Sequence, residues 1–574
     1  MSSDDLFASL ETAQQCLEER HFSEALALYR ATAESSTDRL DSVFALAKFG
    51  YAQALIGLHR TDEALEEFRA AFQASIPHLE GGLRLAEMLL SRCEYESARA
   101  VYDDILHTAP SIAEAQYGLA VALWNLENAE GARTSLKRSL SLQPTYPAAS
   151  LMDAMLPMGL PSPSPKRRQP LLCVLLSPYV VDWPAGQIYI VNFARALSKL
   201  PRRDRPRIVV FIAIDIWERN SDIRETVSQL QDCETVLGVF DQFHPIVSSS
   251  PALDRYRRFA RKSQLSDNEW SRWLLTSSDY TFPLLYPSWG IPTFGQPLYW
   301  IPDFKHRIME REFTLLEMYS RDNDMTALCR RDVLVVLMSR TTLREFNEIF
   351  ANTKCRTHVL RCYPLPSGAP VRARNQYWSL DLPDRFYYVP NQLYPSKDYE
   401  TLCRAMRILL DDGFDIRVVS TCGSLDADDP YRRQIRRLVG RLGLDSNLIV
   451  LDPLPRELQL EVMRNALAIL QPSLYEGWGL GIEDARMLGR PIVLSDIPIH
   501  REHHGVDAKF FEAGNPSAFA AAIKEINHRV PSATTVVLEK AGNAEVLGLA
   551  IGSARTFMQM LHREQGNCTA LASS

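Results

Sequence analysis

Three alanines recur at an interval of 34 residues, Ala52, Ala86 and Ala120, and three more, Ala64, Ala98 and Ala132, keep the same interval. Leu55, Leu89 and Leu123 follow it too, and Phe68, Tyr102 and Leu136 give each unit a large apolar residue at one place. Pro110 and Pro144 close the second and third units in step, with Pro77 one residue out of register for the first. A fixed period of this length restricts residues 1–150 to stacked copies of one helical unit that cannot bury its apolar face alone. Small residues at two fixed points let two helices approach, and the large ones fill the gap between stacked pairs.

The pattern resembles the tetratricopeptide repeat, and Glu24–Ser35 (EALALYRATAES) looks like an additional, looser unit. Two readings of the array stay open. It packs on the next domain or on a second copy of itself, or its concave face binds a peptide or protein partner. Leu156–Pro170 (LPMGLPSPSPKRRQP) follows, and its prolines favour extended, semi-rigid chain. Residues 151–169 are therefore read as a linker, with the KRR cluster as a solvated hinge.

At 574 residues the chain exceeds one hydrophobic core, so further domains are required. Sixty-three basic against 70 acidic residues leave a net charge of −7, which excludes a nucleic-acid partner from the expectations. No apolar run approaches the ~20 residues that cross a bilayer. The opening MSSDDLFASLETAQQ has neither a basic start nor an apolar core, unlike a secretory signal. Ten cysteines are scattered without a CxxC pair, as in a chain with reduced thiols. The expectation is a cytoplasmic protein, with the inner membrane surface as the alternative location.

From Pro170 onward short apolar runs alternate with amphipathic stretches. Leu171–Ser177 reads as a buried strand, followed by a loop through Pro184-Ala185-Gly186-Gln187 and then a helix. Arg207–Ile214, Leu298–Asp303 and Val333–Ser339 read as further strands. The pattern restarts with strands at Arg385–Asn391, Asp415–Ser424, Asn447–Leu454, Leu467–Ser473 and Pro491–Asp496, separated by helices. Such alternation implies parallel sheets with helices on both faces, and two such halves face one another across a cleft. The expected boundaries are 170–380 and 381–530, with a helical tail at 531–574. The arginines of Tyr431–Leu444 and Tyr256–Lys262 read as solvated helix faces.

Gln471–Asp496 (QPSLYEGWGLGIEDARMLGRPIVLSD) carries the most chemistry. A strand ends at Pro472-Ser473 and a turn containing Gly477, Gly479, Leu480 and Gly481 opens a helix. Glycines let the backbone come close to a ligand. Free N–H groups at a helix start hold phosphate oxygens, helped by the positive end of the dipole. Glu476 on one side and Glu483-Asp484 on the other offer acceptors for sugar and ribose hydroxyls.

This run resembles the donor-binding motif of the retaining glycosyltransferases of family four, which share the GT-B fold of two Rossmann-like domains. The likeness extends over Pro170–Ile526. It implies a metal-independent enzyme, a hexosyltransferase, that takes a UDP- or GDP-linked sugar as co-substrate and needs no cofactor. The acceptor would be a glycan, a lipid-linked molecule or a protein. Glu476 matches the first motif glutamate, and the second falls at Asp484, with Glu483 just before it. Lys397 matches the family's diphosphate lysine, while Asn391-Gln392 stand where an arginine is usual. Gly186 looks like part of the family's N-terminal glycine loop. The run Trp300–Phe313 (WIPDFKHRIMEREF) is similar to one in which a histidine lines the cleft, which makes His306 a catalytic candidate beside Glu476. His500, His503 and His504 are spaced as on a helix and are not expected to hold a metal. The competing expectation is a non-catalytic scaffold whose repeats bind partners and whose transferase half has decayed.

Overall fold

In the computed structural model the described residues are 3–36, 42–74, 78–156, 169–181, 183–212, 222–241, 244–247, 267–285, 293–365, 377–423, 425, 429–503, 508–527 and 535–571. The linker's basic cluster, Tyr256–Lys262 and His504 lie outside them.

Four antiparallel helix pairs form the N-terminal array: α1 (Ser3–Glu18) with α2 (Phe22–Ser35), α3 (Ser42–Gly57) with α4 (Thr61–Phe72), α5 (Leu79–Ser91) with α6 (Tyr95–Thr108), and α7 (Ala113–Asn125) with α8 (Ala129–Leu142). A further helix, α9 (Pro147–Met155), carries the array past residue 150. All six periodic alanines have no exposed surface. Tyr29 and Tyr102 press on Gly50 and Gly118, where any side chain would collide with the rings. The equivalent position between those two glycines is Arg84, and there the array departs from its own period.

That departure marks a contact. Helix Leu315–Cys329, from the next domain, packs on α5 and α3. Tyr319 donates its hydroxyl to the Arg84 carbonyl at 2.9 Å and turns its ring edge to Phe68. Arg84 stays charged inside a ring of Glu80, Glu87 and Glu114. Asn323 donates to the Glu87 carbonyl, Arg331 to the Tyr95 hydroxyl, and Arg20 to the Phe313 carbonyl. Of the two readings of the repeats, the structure realises the packing one on the α3 and α5 face.

The first α/β domain holds an eight-stranded sheet in the order β4-β3-β2-β1-β5-β6-β7-β8. Its strands are β1 (Leu171–Leu176), β2 (Arg207–Ile212), β3 (Val236–Asp241), β4 (His244–Val247), β5 (Tyr280–Leu284), β6 (Gln296–Ile301), β7 (Leu334–Leu337) and β8 (Arg356–Val359), parallel except for the β3–β4 pair. β1 is apolar throughout because both its faces are covered. Its alternation divides it between two cores. Leu171, Cys173 and Leu175 join the cluster that continues into the repeats, while Leu172, Val174 and Leu176 join the one that includes Phe557 of the C-terminal helix.

The second domain holds six parallel strands in the order β11-β10-β9-β12-β13-β14. They are β9 (Tyr387–Val389), β10 (Val418–Ser420), β11 (Leu448–Val450), β12 (Ile469–Gln471), β13 (Ile492–Ser495) and β14 (Ala508–Phe511). Strand order reverses between β9 and β12, which opens a crevice beyond their carboxyl ends. The two α/β domains make up a GT-B architecture behind a helical-repeat region.

Helix Thr535–Leu571 binds the domains together. At 37 residues it spans about 55 Å. Its start is tied to the second domain by Arg464–Glu539 and Arg486–Glu545, and its later turns to the first by Tyr280–Leu561 and Arg356–Glu564. Among the described residues no helix is long and apolar enough to cross a membrane.

Candidate active site

The crevice between β9 and β12 is built by two loops. Beyond β9 the chain passes Asn391 and Gln392 to a short turn, Pro395–Lys397; beyond β12 it passes Ser473 and Glu476 to helix Leu480–Met487. Asn391 donates its amide to Gln471 at 2.6 Å, and Tyr399 donates to the Asn391 carbonyl. Asn391 is therefore a brace between the loops, while Gln392 is exposed. Leu474 N–H donates to the Ser396 carbonyl, a second brace.

Glycine is required twice here. Gly479 caps helix Leu480–Met487 at φ 96°, in the left-handed region that side chains avoid. A Cβ on Gly481 would lie 2.5 Å from the Gln471 amide and 3.1 Å from Pro390, so this turn sits closely over both strand ends.

At the centre, Glu476 Oε1 lies 2.6 Å from Lys397 Nζ and accepts the Ser473 hydroxyl at 2.8 Å. Burial alone pushes the Glu476 carboxyl up. The Lys397 ammonium, aided by the Ser473 hydroxyl, more than offsets this and holds it below its ordinary value. Glu476 is thus an ionised acceptor in a largely dry setting. His500 lies behind it, fully buried, with Nδ1 2.8 Å from the Ser495 carbonyl. Its Nε2 has no partner among the described residues. Burial pushes His500 down to about 4, against the pull of Glu476, so the ring is neutral.

The facing wall comes from the first domain. Pro302-Asp303 crowd Gly477 so tightly that a Cβ there would lie 2.5 Å from the Pro302 carbonyl. Tyr475 spans the cleft, donating to Glu345 of helix Arg340–Ile349 and accepting the Phe304 N–H, both at 2.9 Å. Burial, then Asp303 and Glu348, push Glu345 up to about 7 against the Tyr475 bond. Glu502 caps the same helix from the second domain through Arg340 N–H and Thr341 N–H.

The remaining expected residues are enclosed by the fold. Glu483 is buried against Arg486 at 3.0 Å and His503 at 2.5 Å, and His503 also faces the Trp478 carbonyl. Asp484 is held by both terminal nitrogens of Arg456. Both carboxylates have basic partners inside the second domain. Gly186 does not lie in a loop: Pro184 fits the first turn of helix Pro184–Ser198, and Gly186 follows there against the Trp183 ring. His306 has no exposed surface; its Nε2 is 3.0 Å from Asp322, and its Nδ1 has no partner among the described residues. Nothing in the linear sequence singled out Ser473, Tyr475, Asp303, Glu345 or Arg456, because their roles depend on which loops the fold brings together.

Residues 375–534 match the family model described as Glycosyl transferases group 1. Residues 11–77 and 83–147 match that of a tetratricopeptide repeat. Among curated proteins none matches the chain. A sucrose-phosphate synthase from Thermosynechococcus elongatus is similar at 16% identity over 71% of this chain and 100% of its own, with a TM-score of 0.45. Anabaena HepE in complex with UDP and glucose is similar at 16% identity over 71% and 100%, with a TM-score of 0.42. A mutant O-GlcNAc transferase from Thermobaculum terrenum is similar at 14% identity over 98% and 97%, with a TM-score of 0.38. The chain carries a glycosyl transferases group 1 domain preceded by tetratricopeptide repeats.

Proposed function

We propose that this chain is a retaining, metal-independent hexosyltransferase that moves a sugar from a UDP- or GDP-linked donor to a glycan, lipid-linked or protein acceptor. The observation that carries the reading is the Ser473–Glu476–Lys397 array at the strand-order reversal, beside a helix start freed by glycines. The diphosphate lies at the N-terminus of helix Leu480–Met487, where Lys397 and the positive end of the helix dipole offset the charge that grows on the leaving phosphate. Glu476 accepts donor-sugar hydroxyls. The bond from the anomeric carbon to the phosphate oxygen breaks as the acceptor oxygen closes on the same face. The leaving phosphate takes the acceptor's proton, so no protein nucleophile is needed. The ribose contact falls to Glu483 or Asp484, and either must first give up a basic partner, Arg486 and His503 for the one and Arg456 for the other.

The inward pairing of Glu483 and Asp484 also suits a scaffold with no donor to hold. Calorimetric titration with UDP, GDP and their sugars, with and without magnesium, separates the two. Metal-independent binding, with transfer abolished and the fold kept in Glu476→Ala, is the expected outcome. A folded protein that binds none of these ligands is a scaffold, and full activity of Glu476→Ala overturns the assignment of that residue.

A further inference from the structure

The charges around the crevice do not balance a diphosphate. Lys397 is already paired with Glu476, and Arg456 with Asp484. A nucleoside diphosphate brings several negative charges to a crevice where Lys397 and Arg456 are both already matched. The loop after β6 brings a third cation to the cleft, itself paired with Glu312. Its Pro302-Asp303 pair touches Gly477, its Phe304 N–H bonds Tyr475, and Asp303 accepts the Lys305 N–H at 3.0 Å, which fixes the next residue. Lys305 then extends toward the second domain, with Nζ 5.0 Å from the ring centre of Tyr394. Tyr394 is 47% exposed and stands on the loop between Gln392 and Lys397.

We propose that Lys305, carried across the cleft by the loop after β6, binds the donor's diphosphate together with Lys397. The inference rests on the donor-site reading above. An ammonium has three donors. Glu312 takes one at 2.6 Å, and the Lys305 side chain keeps 21% of its surface exposed. The other carboxylate oxygen, Glu312 Oε1, is buried with no hydrogen-bond partner among the described residues. The pair therefore holds Lys305 in place while dampening its charge. A cation from the first domain on a ligand held by the second also makes donor binding close the cleft.

The test is titration of UDP, GDP, uridine and guanosine into the full chain, comparing wild type with Glu312→Gln and with the double variant Lys305→Met/Glu312→Gln. The double variant leaves no buried charge unpaired, so its fold is preserved. It is expected to bind the nucleoside diphosphate roughly ten- to a hundred-fold more weakly, the worth of one charge-assisted hydrogen bond, with nucleoside affinity unchanged. Glu312→Gln alone should bind the diphosphate more tightly, and added salt should shrink both effects. Unchanged diphosphate affinity in the double variant, or an equal fall for diphosphate and nucleoside, overturns the role of Lys305 alone. A wild-type protein that binds no nucleoside diphosphate overturns the donor site as well.

Discussion

Replacing Lys397 by methionine removes the ammonium that keeps Glu476 ionised while leaving a side chain of similar length. The two groups are 18% and 11% exposed and 2.6 Å apart, so the change strands a mostly buried carboxylate. Breaking a buried pair from one side costs about 3 kcal/mol, the low end of the usual range, because both groups keep a little solvent. In a domain of this size that is roughly 6–12 °C of melting temperature. The loss should depend on pH with a definite sign. In the wild type the Glu476 carboxyl is held below its ordinary value of 4.5. It therefore adds stability above that value, and this stability is lost as pH falls through the folded value. In the variant the Ser473 hydrogen bond persists but the Lys397 ammonium is gone, and burial, the largest influence, acts upward. The ionised carboxyl then destabilises the fold at neutral pH, and acid relieves it by protonation. Differential scanning calorimetry at about pH 8 and about pH 4.5 should show a large deficit that narrows in acid. Lys397→Met/Glu476→Gln, with no charge to strand, should recover most of the lost stability but not nucleotide binding. An equal deficit at both pH values, or a double variant as unstable as the single one, refutes the ion-pair account.

Two further outcomes follow from contacts between domains. Glu345 is raised to about 7 by burial first, so its protonated form is favoured in the folded state and the fold loses stability as pH rises from about 4.5 to about 7. Glu345→Gln keeps an acceptor for Tyr475 and should flatten that slope in urea titrations; an unchanged slope would assign it to other groups. Deleting residues 1–150 uncovers Tyr319 and removes one hydrogen bond each from Asn323 and Arg331. Each large side chain so exposed forfeits roughly 1.5–3 kcal/mol, against a domain stability of about 5–15 kcal/mol. The truncated chain should aggregate or melt well below the full chain, and a monodisperse fragment with the wild-type transition contradicts the packing.

What the sequence made legible was whatever depends on local pattern. The 34-residue period reports small residues at helix crossings, and the apolar run of β1 reports a strand covered on both faces. The glycines of the turn after β12 stand out because side chains avoid the φ of 96° at Gly479. Partnership is different, since it depends on contacts remote in sequence. Glu483 and Asp484 look equivalent beside a glycine turn. Only the fold shows that one meets Arg486 and His503 and the other Arg456. Gly186 was misplaced for a local reason: Pro184 reads equally well as a loop residue or as the first residue of a helix. His306 sits in a motif whose spacing is plain but whose burial depends on helix Leu315–Cys329 and Asp322.

That helix explains why the repeats and the cleft belong to one device rather than to two joined modules. The chain between β6 and residue 329 touches the crevice loops of the second domain at one end, through Asp303, Phe304 and Lys305, and the repeats at the other. Between them, Asp322 accepts from His306 and Arg307 and lies 3.9 Å from His59 in the loop between α3 and α4, while His59 is also 3.0 Å from Glu310. A shift of the first repeats would therefore bear on the same short segment that presses on Gly477. The array breaks its own period at Arg84, where Tyr319 docks, so the repeat sequence itself carries the mark of the enzyme domain it supports. A solenoid selected only to display a free groove would have no reason to place a buried, three-carboxylate arginine there.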